Sequence, residues 1–306
     1  MKVLITGGAG FIGSHVADRL IDEGYDVAIV DNLSTGKKEN INPKARFYQI
    51  DIESPDLEEV FKKERPAYVN HHAAQIDVRR SVSDPIFDAT TNVLGTINLL
   101  QCCIKYNVKK VIYASSGGAI YGEQRIFPAP EDHPLSPVSP YGITKLVGEH
   151  YLRFYKATYG LDYVSLRYAN VYGQRQDPGG EAGVVAIFIG KMLNGSQPII
   201  NGDGEQTRDF VYVDDVARAN ILALREDIRA GIFNIGTGVE TSINQLFDIL
   251  KRLINPKVER LYGPPKKGEQ RRSVLDITRA KEVMHWRPLV SLDEGIEYCI
   301  KGCING

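Results

Sequence analysis

From the first residue to about residue 168, short β-branched apolar runs alternate with stretches whose apolar positions recur at helical spacing, the pattern of parallel β-α units. Strands are predicted at Val3–Thr6, Asp26–Val30, Arg46–Ile50, Ala67–Asn70, Lys110–Ala114 and Tyr163–Leu166. Several are almost wholly apolar, as strands covered by helices on both faces are. Helices are predicted at Phe11–Glu23, Leu57–Glu64, Asp84–Tyr106 and Pro140–Tyr159. The last two are long enough to carry a second apolar face, which suits either deeper cover of the sheet or contact with a partner subunit. After Gly173 the pattern changes to loops punctuated by Gly and Pro, brief strands, and shorter helices at about Val184–Asn194, Val213–Arg225, Asn244–Leu253 and Asp293–Gly302. The prediction is an α/β chain: a doubly wound parallel sheet in residues 1–173 and a smaller α/β domain in 174–306, with some interleaving of segments. A ligand cleft is expected between them, at the carboxyl ends of the strands.

Charge and composition narrow the function. Lys and Arg number 37 against 38 Asp and Glu, a formal net charge of −1 with no block of one sign, which excludes an electrostatically driven nucleic-acid binder. No stretch approaches the roughly 20 apolar residues of a membrane helix. The apolar start, Met1–Ile5, gives way to Thr6-Gly7-Gly8 too early for a signal peptide. The four cysteines, Cys102-Cys103 and Cys299/Cys303, have neither the density of a disulfide scaffold nor the paired spacing of a zinc site. They read as small buried hydrophobes in a reducing compartment, so the expected location is cytoplasmic. His71 and His72, adjacent on a strand, would face opposite sides and make a poor metal pair; no metal is expected.

Thr6-Gly7-Gly8-Ala9-Gly10-Phe11-Ile12-Gly13 follows the first strand and opens an amphipathic helix. Gly7 suits a tight turn, Gly10 the approach of a pyrophosphate, and Gly13 close helix-sheet packing; the N–H groups of the first helical turn suit phosphate oxygens. The second strand ends at Asp31, 18 residues past Gly13, where a carboxylate accepts from both adenosine ribose hydroxyls and repels a 2′-phosphate. The predicted cofactor is therefore NAD rather than NADP, on a Rossmann-type sheet, although Lys37 and Lys38 follow closely. Asp51 and Ile52 after the third strand, and His72, Ala73 and Ala74 after the fourth, are placed to line adenine and ribose.

Tyr141 and Lys145 stand four apart in Pro140-Tyr141-Gly142-Ile143-Thr144-Lys145, hence on one helix face. A phenol is a poor base at neutral pH, but an ammonium one turn away and an oxidised nicotinamide both favour the phenolate, which can then take an alcohol proton while hydride leaves the same carbon. The fifth strand ends in Ala114-Ser115-Ser116, whose hydroxyls fall at the sheet edge where substrate would lie.

In this setting further motifs carry a resemblance. They are Asp31-Asn32-Leu33-Ser34-Thr35-Gly36, Asn92-Val93-Leu94-Gly95-Thr96, Tyr121-Gly122, Leu166–Gly173, Arg208–Asp215 and Asn234–Gly238. The chain resembles the extended short-chain dehydrogenases/reductases and, within them, is similar over essentially its whole length to UDP-glucose (UDP-galactose) 4-epimerases. The resemblance implies that Tyr141 is the base and acid at the sugar C4 hydroxyl, and that Lys145 holds the nicotinamide ribose and lowers the Tyr pKa. It implies that Gly7, Gly10, Phe11, Ile12, Gly13, Asp31, Asn32, Ser34, Thr35 and Gly36 bind the cofactor, with Asn92 close to it and Tyr168 beside the nicotinamide. Asn170 would contact the UDP pyrophosphate, Arg208 and Lys266 would clamp it, and Glu269 would lie near the uridine ribose. The family's usual homodimer, packed through two helices of each subunit, would match segments 84–106 and 140–159.

One departure concerns the third hydroxyl that many family members carry at the end of the fifth strand to bond the C4 oxygen; here that position is Gly117. Ser116 or Ser115 would take over its role, Ser116 by preference. Sugar-nucleotide dehydratases and UDP-glucuronate decarboxylases resemble one another in an acidic segment after this strand, which here reads Ser-Gly-Gly. Oxidation at C4 with return of hydride to the other face needs only Tyr141, Lys145 and a retained NAD. The expected reaction is thus 4-epimerisation of UDP-glucose and UDP-galactose. A position that is Tyr in epimerases restricted to plain hexoses is Ser273, which extends the expectation to UDP-GlcNAc and UDP-GalNAc. The alternatives are another nucleotide-sugar enzyme of this group, such as a UDP-glucuronate 4-epimerase, a dehydratase or a decarboxylase, and a non-catalytic NAD-binding protein.

Overall fold

The computed structural model describes residues 1–179, 183–266 and 270–305. In chain order the first half comprises β1 (Lys2–Thr6), α1 (Phe11–Asp22), β2 (Asp26–Val30), β3 (Arg46–Tyr48), α2 (Leu57–Glu64), β4 (Tyr68–His71), α3 (Val78–Ser83), α4 (Pro85–Ala89), a π turn (Thr90–Leu94), α5 (Gly95–Lys105), β5 (Lys110–Ser116), α6 (Gly117–Ile120), α7 (Pro140–Tyr159) and β6 (Asp162–Tyr168). The second half adds β7 (Asn170–Tyr172), α8 (Val184–Leu193), β8 (Ile199–Asn201), β9 (Thr207–Arg208), β10 (Phe210–Tyr212), α9 (Val213–Leu222), β11 (Ala230–Ile235), β12 (Thr241–Ser242), α10 (Ile243–Ile254), β13 (Leu261–Gly263), α11 (Thr278–Val283) and α12 (Leu292–Asn305).

Seven parallel strands form one sheet in the order β11-β6-β5-β4-β1-β2-β3. The chain leaves β1 in one direction and returns through β4 in the other, so a crevice opens at the carboxyl ends of these two strands. Alternation along the strands divides the core into two layers. Val3, Ile5, Ile29, Ile112 and Val164 pack with Val16 and Leu20 of α1, Val216 and Ala219 of α9, and the fully buried Trp286. Leu4, Ala28, Val69 and Val111 face α2, α5 and α7 through Phe61, Leu99, Leu100 and Leu152. A third cluster, with Phe188, Met192, Phe247, Leu250 and Ile296, holds α8, α10 and α12 together. The second half is not a separate body, because it lends β11 to the edge of the main sheet and α9 to the layer over α1.

Several expected elements differ in extent: β5 and β6 run on to Ser116 and Tyr168, and α9 ends at Leu222. Residues 84–106 are not one regular helix: Asp84 caps α4 by accepting from Phe87 N (3.1 Å), Pro85 opens it, and the π turn widens the spiral before α5. The third strand stops at Tyr48 rather than Ile50. The long α7 is as predicted, with Ser139 accepting from Gly142 N (3.1 Å) at its start and Gly160, at φ +75°, ending it in the left-handed conformation. Of the cysteines, Cys102, Cys103 and Cys299 are buried, with thiols pushed up by burial, whereas Cys303 is exposed, which corrects its expected place in the core. Among the described residues no helix is long and apolar enough to cross a membrane.

Candidate active site

The crevice between β1 and β4 is built for close approach. Gly7 turns at φ +70°, and a Cβ there would stand 2.6 Å from Ala73 N; a Cβ on Gly13 would stand 2.2 Å from the Gly7 carbonyl oxygen. Neither position admits a side chain. No side chain caps Gly10 and no carboxylate lies in the first turn of α1, so the orphan N–H groups at Phe11, Ile12 and Gly13 meet no competing anion. Asp31 is buried and accepts from Ala9 N (2.9 Å) and Leu33 N (2.8 Å), tying the glycine loop to the loop after β2, while burial pushes its carboxyl up. A Cβ on Gly36 would meet the Asp31 carboxylate. Asn32 donates to Asp51 (2.8 Å) and accepts from Ser34 N (2.9 Å), so this rim braces itself; Thr35 lies in the same loop and Ile52 is buried beside it. Across the crevice His72 stacks on Tyr168 and keeps its Nε2 buried without a partner, with Ala73 and Ala74 partly buried next in the chain. Glycine cradle, uncapped helix start and unpartnered His72 nitrogen together fit a dinucleotide.

At the carboxyl end of β5 the Ser116 side chain stands beside the phenol of Tyr141. Burial pushes that phenol up to about 12, the neighbouring Ser116 hydroxyl pulls the other way, and the Asp88 carboxylate adds to the rise. Lys145 is buried one helical turn on; its Nζ donates to the Ala114 carbonyl (2.9 Å) and lies 5.9 Å from the Tyr141 ring centroid. Burial pushes Lys145 down to about 8, opposed by Asp88. His71 and His72 are held neutral, chiefly by burial and further by the Lys145 charge.

The two serines separate, because successive strand residues face opposite sides. Ser115 points away from Tyr141 and donates to Glu149 (2.7 Å), which also accepts from Ser165 (2.9 Å) and pairs with the buried Arg167 (2.7 Å). Its expected catalytic place is thereby corrected to that of a structural hydroxyl. Gly117 has its own cause: a Cβ there would fall 2.6 Å from a methyl of the buried Leu275. The missing third hydroxyl is displaced by that side chain.

Asp88 was not anticipated. It is fully buried and accepts from Gln75 Nε2 (3.0 Å), Asn92 Nδ2 (3.1 Å) and the Thr144 hydroxyl (2.9 Å). Asn92, in the π turn, accepts from Gln75 N (2.8 Å) and donates to the Thr144 hydroxyl (3.2 Å). The signal lay in the sequence: Asp88, Asn92 and Thr96 stand at i, i+4 and i+8, a polar stripe on a helix face that turns out to be buried.

In the second half, Asn170 starts β7 and lies beside β10. The Arg208 guanidinium donates to the carbonyls of Thr207 (2.7 Å) and Gln270 (2.9 Å), whereas Asp203 pairs with Arg271 and the buried Asp209 accepts from Thr237, Gly238 and Leu275. Lys266 lines a cavity of about 400 Å³ with Asn201, Gly202, Gln206, Gln270 and Arg271. Ser273 is buried in the segment that spans the two walls, where Gln270 donates to the Gly122 carbonyl and Val274 N to Gln124 (3.0 Å). Glu269 lies outside the described residues.

Residues 3–236 match the model of the NAD dependent epimerase/dehydratase family. The chain is 46% identical over 301 residues to a UDP-glucose 4-epimerase of Mycolicibacterium smegmatis, covering 97% of this chain and 96% of the relative. A crystal structure of the UDP-glucose 4-epimerase of Thermotoga maritima with UDP-glucose superimposes with a TM-score of 0.97 at 54% identity, covering 100% of this chain and 99% of the other. That of the Thermus thermophilus UDP-glucose 4-epimerase in complex with NAD does so with 0.93 at 44% identity, covering 99% and 98%. With the glycine cradle of β1, the Tyr141–Lys145 pair and this likeness along the full chain, the protein belongs to the NAD dependent epimerase/dehydratase family.

Proposed function

We propose that the chain is a UDP-hexose 4-epimerase that works with a retained NAD. The observation that carries the reading is the Ser116–Tyr141–Lys145 arrangement beside a crevice shaped for a dinucleotide. The Gly7–Gly13 loop and first turn of α1 hold the pyrophosphate, Asp31 the adenosine ribose, and Lys145 the nicotinamide ribose. Bound NAD supplies reversible acceptance of hydride from C4 and a positive charge beside the Tyr141 phenol.

Tyr141 takes the C4 hydroxyl proton and later returns it. Its phenol, held near 12 by burial, needs nearby positive charge to serve at neutral pH, and the Lys145 ammonium is the group within the chain that provides it. Ser116 orients the phenol and is placed to bond the C4 oxygen, in the role that Gly117 cannot fill. Asn170, Arg208 and Lys266 anchor the UDP, which leaves the hexose free to turn over in the site. Dehydration requires a further acid and base, and the residues after Ser116 are Gly117 and Gly118.

Ser273 leaves room for an N-acetyl group, which extends the substrates to UDP-GlcNAc and UDP-GalNAc. The N-terminal sheet with β11 and α9 is the cofactor unit, and the remainder of 174–306 is the UDP-sugar unit. A homodimer through α4–α5 and α7 accounts for Ile86 (79% exposed), Leu94 (58%), Ile143 (49%) and Phe154 (51%) on those helices.

The test is incubation with UDP-galactose, and separately with UDP-GlcNAc, without added cofactor, followed by proton NMR of the sugar. The C4 epimer is expected from both. A 4-keto-6-deoxy product would identify a dehydratase, and no change even with added NAD would leave a binding role.

A further inference from the structure

We infer that Asp88 is a positioning residue for the Tyr141–Lys145 pair, clamping α7 to the π turn through Thr144 and Asn92 and placing one buried negative charge behind both side chains. The inference rests on the epimerase reading for its kinetic test and on geometry for the rest.

The clamp is specific in its bonds. One Asp88 oxygen takes Gln75 Nε2 and Asn92 Nδ2, and the other takes the hydroxyl of Thr144, the residue directly before Lys145. Asn92 closes the ring by bonding Gln75 in both directions, donating to its carbonyl (2.9 Å) and accepting from its N–H (2.8 Å). The π turn makes this possible, since the extra residue in the turn re-aims the helix face, and such insertions occur mostly where a side chain must be delivered to a site. A fully buried carboxylate that accepts three side-chain hydrogen bonds stiffens the elements it joins. Here those elements carry the general base and its cation.

The charge acts as well as the bonds. Among the described residues the field of Asp88 acts on Tyr141 and Lys145 of α7 and Tyr113 of β5, and it raises the pKa of all three. Lys145 in turn faces the neutral His71 at the end of β4 and His72 just after it, the Tyr113 ring and the Tyr141 ring. Asp88 therefore keeps Lys145 cationic against the pull of burial, at the expense of a harder ionisation of Tyr141.

Asp88→Asn removes the charge and keeps the shape: the new amide oxygen still accepts from Asn92, and the new NH2 donates to Thr144. Both limbs of the kcat–pH profile for UDP-galactose should move to lower pH by about one unit. The ultraviolet tyrosinate titration assigned to Tyr141, by difference from Tyr141→Phe, should move the same way. Thr144→Val keeps the charge and cuts the clamp, and kcat should fall roughly ten- to a hundredfold with the limbs in place. Limbs and tyrosinate titration both unmoved in Asp88→Asn, or kcat unchanged in Thr144→Val, would overturn the inference. Failure of the parent protein to epimerise would overturn the functional reading instead, and the tyrosinate titration would still decide the charge effect.

Discussion

Restoring the third hydroxyl by Gly117→Ser should destabilise the protein, through one contact. A Cβ at 117 would lie 2.6 and 2.9 Å from the two methyls of Leu275, well inside the roughly 3.5–4.0 Å of comfortable carbon contact. A leucine tip ordinarily swings aside. Leu275 is fully buried with Ile120, Tyr121 and Ala129 around it, and its backbone is stitched on every side: Leu275 N donates to Asp209, Ala129 N to the Val274 carbonyl, and Asp276 N to the Ala129 carbonyl. Overpacking of this kind costs about 1–3 kcal/mol. Leu275→Ala alone should cost about 2–5 kcal/mol through the cavity it leaves. In the double variant the serine occupies space the leucine vacated, so the two costs should fall short of additivity by about 0.5–3 kcal/mol. Chemical denaturation midpoints of the four proteins give the cycle directly, and the NMR epimerase assay runs on the same samples. Gly117→Ser should bring no gain in turnover, because Ser116 already places a hydroxyl beside the phenol. Strict additivity, or a single variant as stable as the parent, would refute the steric account of the missing hydroxyl.

Tyr141→Phe should lower turnover by roughly 10²–10⁴-fold while NAD stays with the purified protein; retained turnover would remove Tyr141 from the proton path. Gly13→Ala, whose Cβ would stand 2.2 Å from the Gly7 carbonyl oxygen, should be purified without NAD, read from the cofactor released on denaturation. Burial lowers Lys145 from 10.5 to about 8, so between those values the unfolded chain binds more protons than the folded one, and stability rises with pH across that window. Lys145→Met should flatten this rise and stabilise the fold at pH 7 by on the order of 1–3 kcal/mol while abolishing turnover, a pattern that melting curves taken against pH would expose. Ser273→Tyr should slow the UDP-GlcNAc reaction selectively; equal loss on UDP-galactose would show that the side chain does not border the N-acetyl position.

Much of this molecule was legible in one dimension because its signals are local. Strand periodicity, the Gly7–Gly13 spacing after an apolar run, a carboxylate at the next strand end and Tyr141 four before Lys145 are all contained in short windows of chain, where backbone geometry alone decides which groups share a face. The sequence therefore determined six of the seven strands of the main sheet, the glycine cradle and the pairing of Tyr141 with Lys145. The tertiary structure decided what depends on contacts between distant segments. Ser115 and Ser116 differ by one position, yet the first donates to Glu149 and the second stands beside Tyr141. Gly117 reads as a lost hydroxyl until Leu275, far along the chain, is seen to fill its space. Likewise β11 comes from the second half to complete the first-half sheet and α9 to cover it, and the stripe of Asp88, Asn92 and Thr96 gains meaning only when α7 buries it. Burial and pairing of polar groups are set by whatever packs over them, and long-range packing leaves no periodic trace in the segment it covers.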